Sequence, residues 1–463
     1  MASATYRFSG PVEVPRVETR HRRIVTKIPV PESLEIFETL DRYESSAMHG
    51  QLPVVWDRAE GFQVHDPWGN TWIDFTSSIF VTNAGHGNPR IVEALREVLD
   101  RPLLHAYTYA TRVRADYLRY LIASTPPQFE KAFLLSAGTE ATECALKLMR
   151  TNGWKQGKRR PGILAFEGNW HGRTMGSQMI SHNPEQKAWI GYQDPHIFHL
   201  PFPYPWREDA VRDPRAFFRT HMSELLQKEG LDPEKDLCGV MLETFQGWGA
   251  LFYPPEFVQE AAAFARAHGM LVAFDEMQAG FGRTGKLFGY MHYGVEPDLL
   301  CCGKGASSSL PLSIVLGSQR VMDLPEVGSM SSTHSANPAS CAAGLANLRA
   351  LIEEGMIENA RVLGEVFHAR LNEIRGRFPG HIRHVLGRGL VAGVHFADPN
   401  GKVDSVLASR VCEKALRKGL LLVHTGRESI KMGPPLVITK EGLMEGLEVF
   451  EESVAEGISE AGR

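Results

Sequence analysis

Four groups of residues in this chain are equipped for chemistry, and they come in a fixed order. The first is Ser136-Ala137-Gly138-Thr139-Glu140-Ala141. Small residues at a helix start leave backbone N–H groups free beside the positive end of the dipole, which suits a phosphate; an ordinary capped helix uses the same residues. The second is Glu167-Gly168-Asn169-Trp170-His171-Gly172-Arg173-Thr174. Trp170 in a glycine-flanked turn can stack on a planar ligand, or be a core tryptophan. The third is Asp275-Glu276-Met277-Gln278. A buried carboxylate needs a cationic partner or a proton, so Asp275 could bind a metal, orient a histidine or pair with a protonated ring nitrogen. The fourth is Gly303-Lys304-Gly305, directly after two leucines and two cysteines. Desolvation there lowers the lysine pKa and frees its amine for attack on a carbonyl; the alternative is a lysine snorkelling at a sheet edge.

Each group follows a short apolar run: Ala132–Leu135, Ile163–Phe166, Met270–Phe274 and Leu299–Cys302, with a further run at Val240–Leu242. Runs this short and continuously apolar suit strands buried on both faces of a parallel sheet. In such sheets reactive groups sit beyond the carboxyl ends of the strands. The segment PPEFVQEAAAFARAHG opens on proline, is filled with alanine and closes at Gly269, as a crossover helix does. After Gly138, the residues Ala141, Cys144, Ala145 and Leu148 share one helix face. The expected architecture is α/β: a large domain over 76–340 with a mostly parallel central sheet flanked by helices, and a smaller α+β domain over 341–463. Residues 1–75 supply an N-terminal arm, irregular over 1–33, and part of the small domain. Ala339–Glu354 and Ile357–Arg377 read as helices, and LLLVHTGRESIKMGPPLVIT as a hairpin or strand.

Of the 463 residues 43% are hydrophobic and 22% charged, a globular composition. Lysine and arginine number 50 against 54 acidic residues, a formal charge of −4, so no basic excess points to nucleic acid or an anionic membrane. No run approaches the roughly 18 apolar residues of a membrane span. No secretory signal is visible. Six cysteines stand at 144, 238, 301, 302, 341 and 412 without a CxxC pair, which reads as reduced core thiols in a cytoplasmic protein. No G-x-G-x-x-G follows a first strand, which argues against a dinucleotide enzyme.

A phosphate cup, a stacking aromatic, a carboxylate and a lysine, each after a strand, form the set that pyridoxal 5′-phosphate requires. From about residue 30 to 450 the chain resembles the class III (ω-type) aminotransferases of the fold-type I pyridoxal-phosphate enzymes. The resemblance is carried by DEMQAGFGRTGKLFGYMHYGVEPDLLCCGKG, which sets Asp275 and Lys304 29 residues apart, and by SAGTEATECALKLMR, NWHGRT, LETFQG, STHSANPASCAAGL and FTSSIFVTNAGHGNP. It implies Lys304 as Schiff-base lysine and proton shuttle and Asp275 on the pyridine nitrogen. Gln278 would bond the phenolic oxygen, Gly138 and Thr139 the phosphate, and Trp170 would stack on the ring. Thr333 would reach the phosphate of a neighbouring subunit, which implies a homodimer with shared active sites, or a tetramer built from it. The implied reaction is ping-pong transfer of an amino group between an amine or amino acid and a keto acid or aldehyde.

The chain departs from the family at three places. Ser307-Ser308-Ser309 replaces a glycine-rich loop after the lysine. Lys431, in IKMGPPLVI, stands where many members carry an arginine that grips a substrate carboxylate, and lysine lacks the planar two-pronged grip. Either Lys431 holds a carboxylate more loosely, or Arg427 takes over, or the substrate lacks an α-carboxylate. Glu243 stands where some members keep a glutamate that masks the family's arginine, so the resemblance implies a Glu243–Lys431 pair. Ile79 and Phe80, with Trp248, Tyr107 and Tyr109, fall on stretches of the substrate side. The alternatives are an amino-acid racemase or epimerase, or a phospho-lyase, of the same fold, and a non-catalytic binding protein that kept it.

Overall fold

The computed structural model describes Tyr6 and residues 10–461, so residues 1–5 and 7–9 of the expected arm lie outside it. The chain divides into two units. One comprises Pro89–Gly247 and Leu251–Gly355; the other comprises the described residues up to Asn88, Trp248–Ala250 and the chain from Met356.

Seven strands form the sheet of the first unit: β1 Lys131–Leu135, β2 Gly162–Phe166, β3 Ile197–Leu200, β4 Leu237–Glu243, β5 Leu271–Asp275, β6 Leu299–Cys302 and β7 Ser313–Gly317. Their order is β1-β7-β6-β5-β4-β2-β3. All neighbours pair in parallel except β7, which runs against both β6 and β1. The fold is the expected α/β type with a mostly parallel sheet. β2, β4, β5 and β6 are buried along their whole length, which is why they read as continuous apolar runs. In register Asp275 lies beside Glu243 on one side and Cys301 on the other, so the carboxyl ends of β4, β5 and β6 come level.

Helices cover this sheet. In α1, Gly138–Lys155, the face formed by Ala141, Cys144, Ala145 and Leu148 is buried, and α1 packs on β4, β6 and β7. The Glu140 carboxylate accepts the backbone N–H groups of Ser136 and Ala137 at 2.9 and 2.8 Å, which fixes the turn that starts the helix. A short α2, Met175–Ile180, follows the Trp170 turn, and α3, Pro255–Ala267, links β4 to β5. The helix α4, Pro338–Glu353, buries Cys341, Ala343 and Leu348 and packs on Pro89–Asp100 and Arg112–Ser124 within the sheet unit.

In the second unit Gln63–His65 and Thr71–Asp74 pair as a hairpin. Ile382–Arg388, Val391–Phe396, Ser429–Met432 and Val423–His424 form an antiparallel sheet, joined by the helices Met356–Arg377, Ser405–Arg417 and Lys440–Ala461. Among the described residues no helix is long and apolar enough to cross a membrane. All six cysteines are buried free thiols. Burial pushes those of Cys144, Cys238 and Cys341 up to about 12, so they are inert at neutral pH.

Candidate active site

A cavity opens at the carboxyl end of the sheet, and its wall holds Gly138, Thr139, Trp170, Asp275, Gln278 and Lys304 together. Asp275 closes β5 and is 5% exposed. Its Oδ2 lies 2.8 Å from His171 Nδ1, and its Oδ1 accepts the Met277 N–H at 3.0 Å. His171 Nε2 lies 2.7 Å from Asn169 Nδ2, so the network assigns the ring proton on Nδ1 to the bond with Asp275. The histidine backbone is held as well. Thr142 donates its hydroxyl to the His171 carbonyl, and Ser181 Oγ accepts the His171 N–H, each at 2.8 Å. The sequence raised histidine orientation as one use of Asp275. It did not single out His171 as a site residue, although the residue stands in the turn that carries Trp170.

Lys304 sits two residues beyond β6 with φ +44°, a left-handed conformation that costs a non-glycine residue roughly 1–3 kcal/mol. Burial lowers its pKa below the ordinary lysine value, and the nearby Asp275 and Glu243 charges oppose that shift. Behind Asp275, Glu276 is fully buried, and its pKa is pushed up to about 7. Burial is the main cause, moderated by hydrogen bonds from the Thr244 hydroxyl and the Gly289 and Tyr290 N–H groups.

At the opposite wall Gly138 and Thr139 begin α1. Thr139 Oγ1 lies 2.6 Å from Thr174 Oγ1 and accepts the Thr174 N–H at 3.2 Å; the Thr174 hydroxyl in turn donates to Glu143 at 2.6 Å. Gly172 lies between these groups with φ +146°, and a Cβ there would meet Thr139 Oγ1 at 2.3 Å. Gly172→Ala is therefore expected to displace Thr139 and weaken retention of a phosphorylated ligand about 10-fold, as equilibrium dialysis would measure. Unchanged retention would show that Thr139 is not part of the cup. Gly247 serves Gln278 in the same way, since a Cβ there would lie 2.1 Å from Gln278 Nε2.

Trp170 carries the Arg173 guanidinium 4.8 Å from its ring centroid, a cation–π contact, and lines the cavity. The Trp170 backbone N–H donates to Glu243 Oε1 at 3.2 Å. Glu243 is on the cavity wall, as are Met277 and Phe245, which the sequence did not single out. Thr333 is not on this wall. It is exposed on a loop where its carbonyl accepts a hydrogen bond from His105 at 2.9 Å, and the Tyr107 hydroxyl bonds Ser331 at 3.3 Å.

Of the remaining expected substrate residues, Tyr109 is exposed in the sheet unit, and Ile79, Phe80, Trp248, Arg427 and Lys431 lie in the other unit. Ser77, Ser78, Ile79 and Phe80 form a left-handed turn with φ between 48° and 67°, held by Ser77 Oγ donating to the Gly433 carbonyl at 2.6 Å. Lys431 Nζ stands 4.7 Å over the Phe80 ring, and Arg427 lies 3.5 Å over the ring of Trp248.

A helix start that a Cβ at Gly172 would obstruct, a carboxylate held by an imidazole, and the amine of a half-buried lysine meet in one cavity. That donor set fits a phosphorylated pyridine aldehyde. Comparison with known proteins agrees. The model of the aminotransferase class-III family matches residues 45–454. A 4-aminobutyrate aminotransferase of Mycobacterium leprae is 31% identical, with 93% of this chain and 97% of the relative covered. An alanine/serine racemase of Pyrococcus horikoshii is also 31% identical, over 94% and 93%. The crystal structure of an ornithine aminotransferase from Toxoplasma gondii superposes with a TM-score of 0.82 at 26% identity, covering 93% of this chain and 96% of that one. This chain belongs to the class-III aminotransferases, the pyridoxal-phosphate enzymes of fold type I.

Proposed function

We propose that the chain transfers an amino group between an amine or amino acid and a keto acid or aldehyde, with Lys304 as the group that moves the proton. The observation that carries this reading is the half-buried Lys304, its amine desolvated, which shares one cavity with the Asp275–His171 pair. When bound, pyridoxal phosphate supplies an electron sink for the bond at the substrate Cα. The chain supplies the rest. Gly138 and Thr139 would hold the phosphate, Trp170 would offer its face to the ring and Gln278 would bond the phenolic oxygen. Asp275 would keep the ring nitrogen protonated. Lys304 Nζ takes the proton that leaves the substrate Cα.

On the substrate side we assign Ile79, Phe80, Glu243 and Lys431. The Lys431 ammonium over the Phe80 ring supports a single-point contact to an anionic group, with an aromatic surface beside it. The exposed Leu99, Leu103, Leu104 and Tyr109 (79% exposed) lie in the segment tied to the Thr333 loop. An apolar surface of this kind supports a second copy of the chain as its cover, with Thr333 offered to that copy's phosphate. The buried free thiols suit the reducing cytoplasm.

The test is an absorbance spectrum of the purified protein, taken before and after adding single amines or amino acids without keto acid. Loss of the visible cofactor band is expected with a true donor, and the donor that causes it is the substrate. A band that persists while an amino acid loses its optical purity would establish a racemase instead. No band even with added cofactor would overturn the reading altogether.

A further inference from the structure

Glu243 and Asp275 end neighbouring strands in register, and both reach the turn that carries Trp170 and His171. Asp275 takes the His171 side chain. Glu243 takes the backbone one residue earlier: its Oε1 accepts the Trp170 N–H at 3.2 Å and the Gly247 N–H at 3.3 Å, and its Oε2 accepts the Gly247 N–H at 3.0 Å. The carboxylate is 5% exposed, so these bonds lie away from bulk water, where a lost hydrogen bond is felt most. It thus ties the turn after β2 to the turn after β4. Gly247, the residue it grips, is also the one whose missing Cβ leaves room for Gln278.

We infer that Glu243 is a positioning residue for the cofactor: it fixes the Trp170 turn against the ring site and holds one negative charge facing Lys304. The inference rests on the proposed roles of Trp170 and Lys304, and it gives Glu243 work to do before any substrate arrives. The charged and titratable groups around it include Asp275, His171 and Lys304 on the cavity wall, Glu276 behind Asp275, Arg173 over the indole, and Tyr253, whose hydroxyl pKa is pushed up first by burial and then by the Glu243 charge. Among these Glu243 and Asp275 both favour a proton on the Lys304 nitrogen.

Two variants separate the anchor from the charge. Glu243→Gln keeps an oxygen for the Trp170 N–H and loses the charge, whereas Glu243→Ala loses both. In substrate-free holoenzyme, a pH titration of the visible cofactor band reads the proton on the linked Lys304 nitrogen. Without the carboxylate that proton is held less well, so the midpoint is expected to fall by about one unit in both variants. Cofactor dissociation, measured by dialysis, is expected to rise about 10-fold in Glu243→Ala and little in Glu243→Gln. Thermal unfolding of the apo forms checks that both variants fold. If midpoint and dissociation stay native in both variants while only a substrate KM moves, Glu243 acts on the substrate alone and the inference is wrong. If native protein binds cofactor without a visible band, the role of Lys304 falls, and this inference with it.

Discussion

Lys304→Ala is expected to lower turnover by about four orders of magnitude, the upper range for loss of a positioned proton-transfer group. It is the only amine on the cavity wall among the described residues. The native protein treated with borohydride, which makes a lysine–cofactor linkage permanent, is expected to carry the cofactor mass on the peptide containing Lys304. The variant is expected to carry none. Burial lowers the Lys304 pKa, so a larger share of its amine is neutral near pH 7 than on a surface lysine. Capture of cofactor by the native apo protein should therefore rise with pH and level off below the ordinary lysine value. Alanine also removes an ammonium whose burial costs the fold solvation. The apo variant is then expected to unfold no lower than the native protein, which separates loss of chemistry from loss of structure. Turnover within about 10-fold of native would sink the assignment, because no other residue on the wall can replace an amine.

The parts of this site that the sequence makes legible are those where local pattern and chemistry coincide. β5 and β6 are continuous apolar runs that end on Asp275 and two residues short of Lys304, so the strand and its reactive end are read together. β7 escapes that logic. SIVLG is as buried as its neighbours, but it follows a serine-rich reversal and has no crossover helix to mark it. β3, with IFHL half-exposed near the sheet edge, gives a weaker signal still. The left-handed turn at Ser77–Phe80 is illegible for a different reason. It contains no glycine, and besides its local backbone bonds it is held by a hydrogen bond to Gly433, 356 residues away. The bonds from Asp275 to His171 and from Glu243 to Trp170 join residues 104 and 73 apart. Periodicity names the residues on both sides of such bonds; only the register of β4 beside β5 brings them to one turn.

Asp275→Asn is expected to lower kcat about 10²- to 10³-fold, the range for losing one preorganised electrostatic group, with KM changed far less. The substitution is nearly isosteric and fits the pocket. The asparagine Oδ1 can still accept the Met277 N–H, and its Nδ2 can donate to His171 Nδ1. The imidazole proton then moves to Nε2, and an amide flip at Asn169 presents Oδ1 to receive it. Stability is thus expected to stay close to native, and what disappears is the charge proposed to keep the ring nitrogen protonated. Removing the orienting partner instead, in His171→Ala, leaves that charge in place but frees its rotamer, and is expected to cost only about 10-fold. Rapid-mixing rates of the amine half-reaction, scaled to bound cofactor, would rank the variants. The expected order is native, then His171→Ala, then Asp275→Asn, with the double variant no slower than Asp275→Asn alone, since an imidazole that orients a charge contributes nothing once the charge is gone. A double variant slower by the product of the two effects would mean that His171 acts independently of Asp275, and the coupling read from their 2.8 Å bond would have to be abandoned.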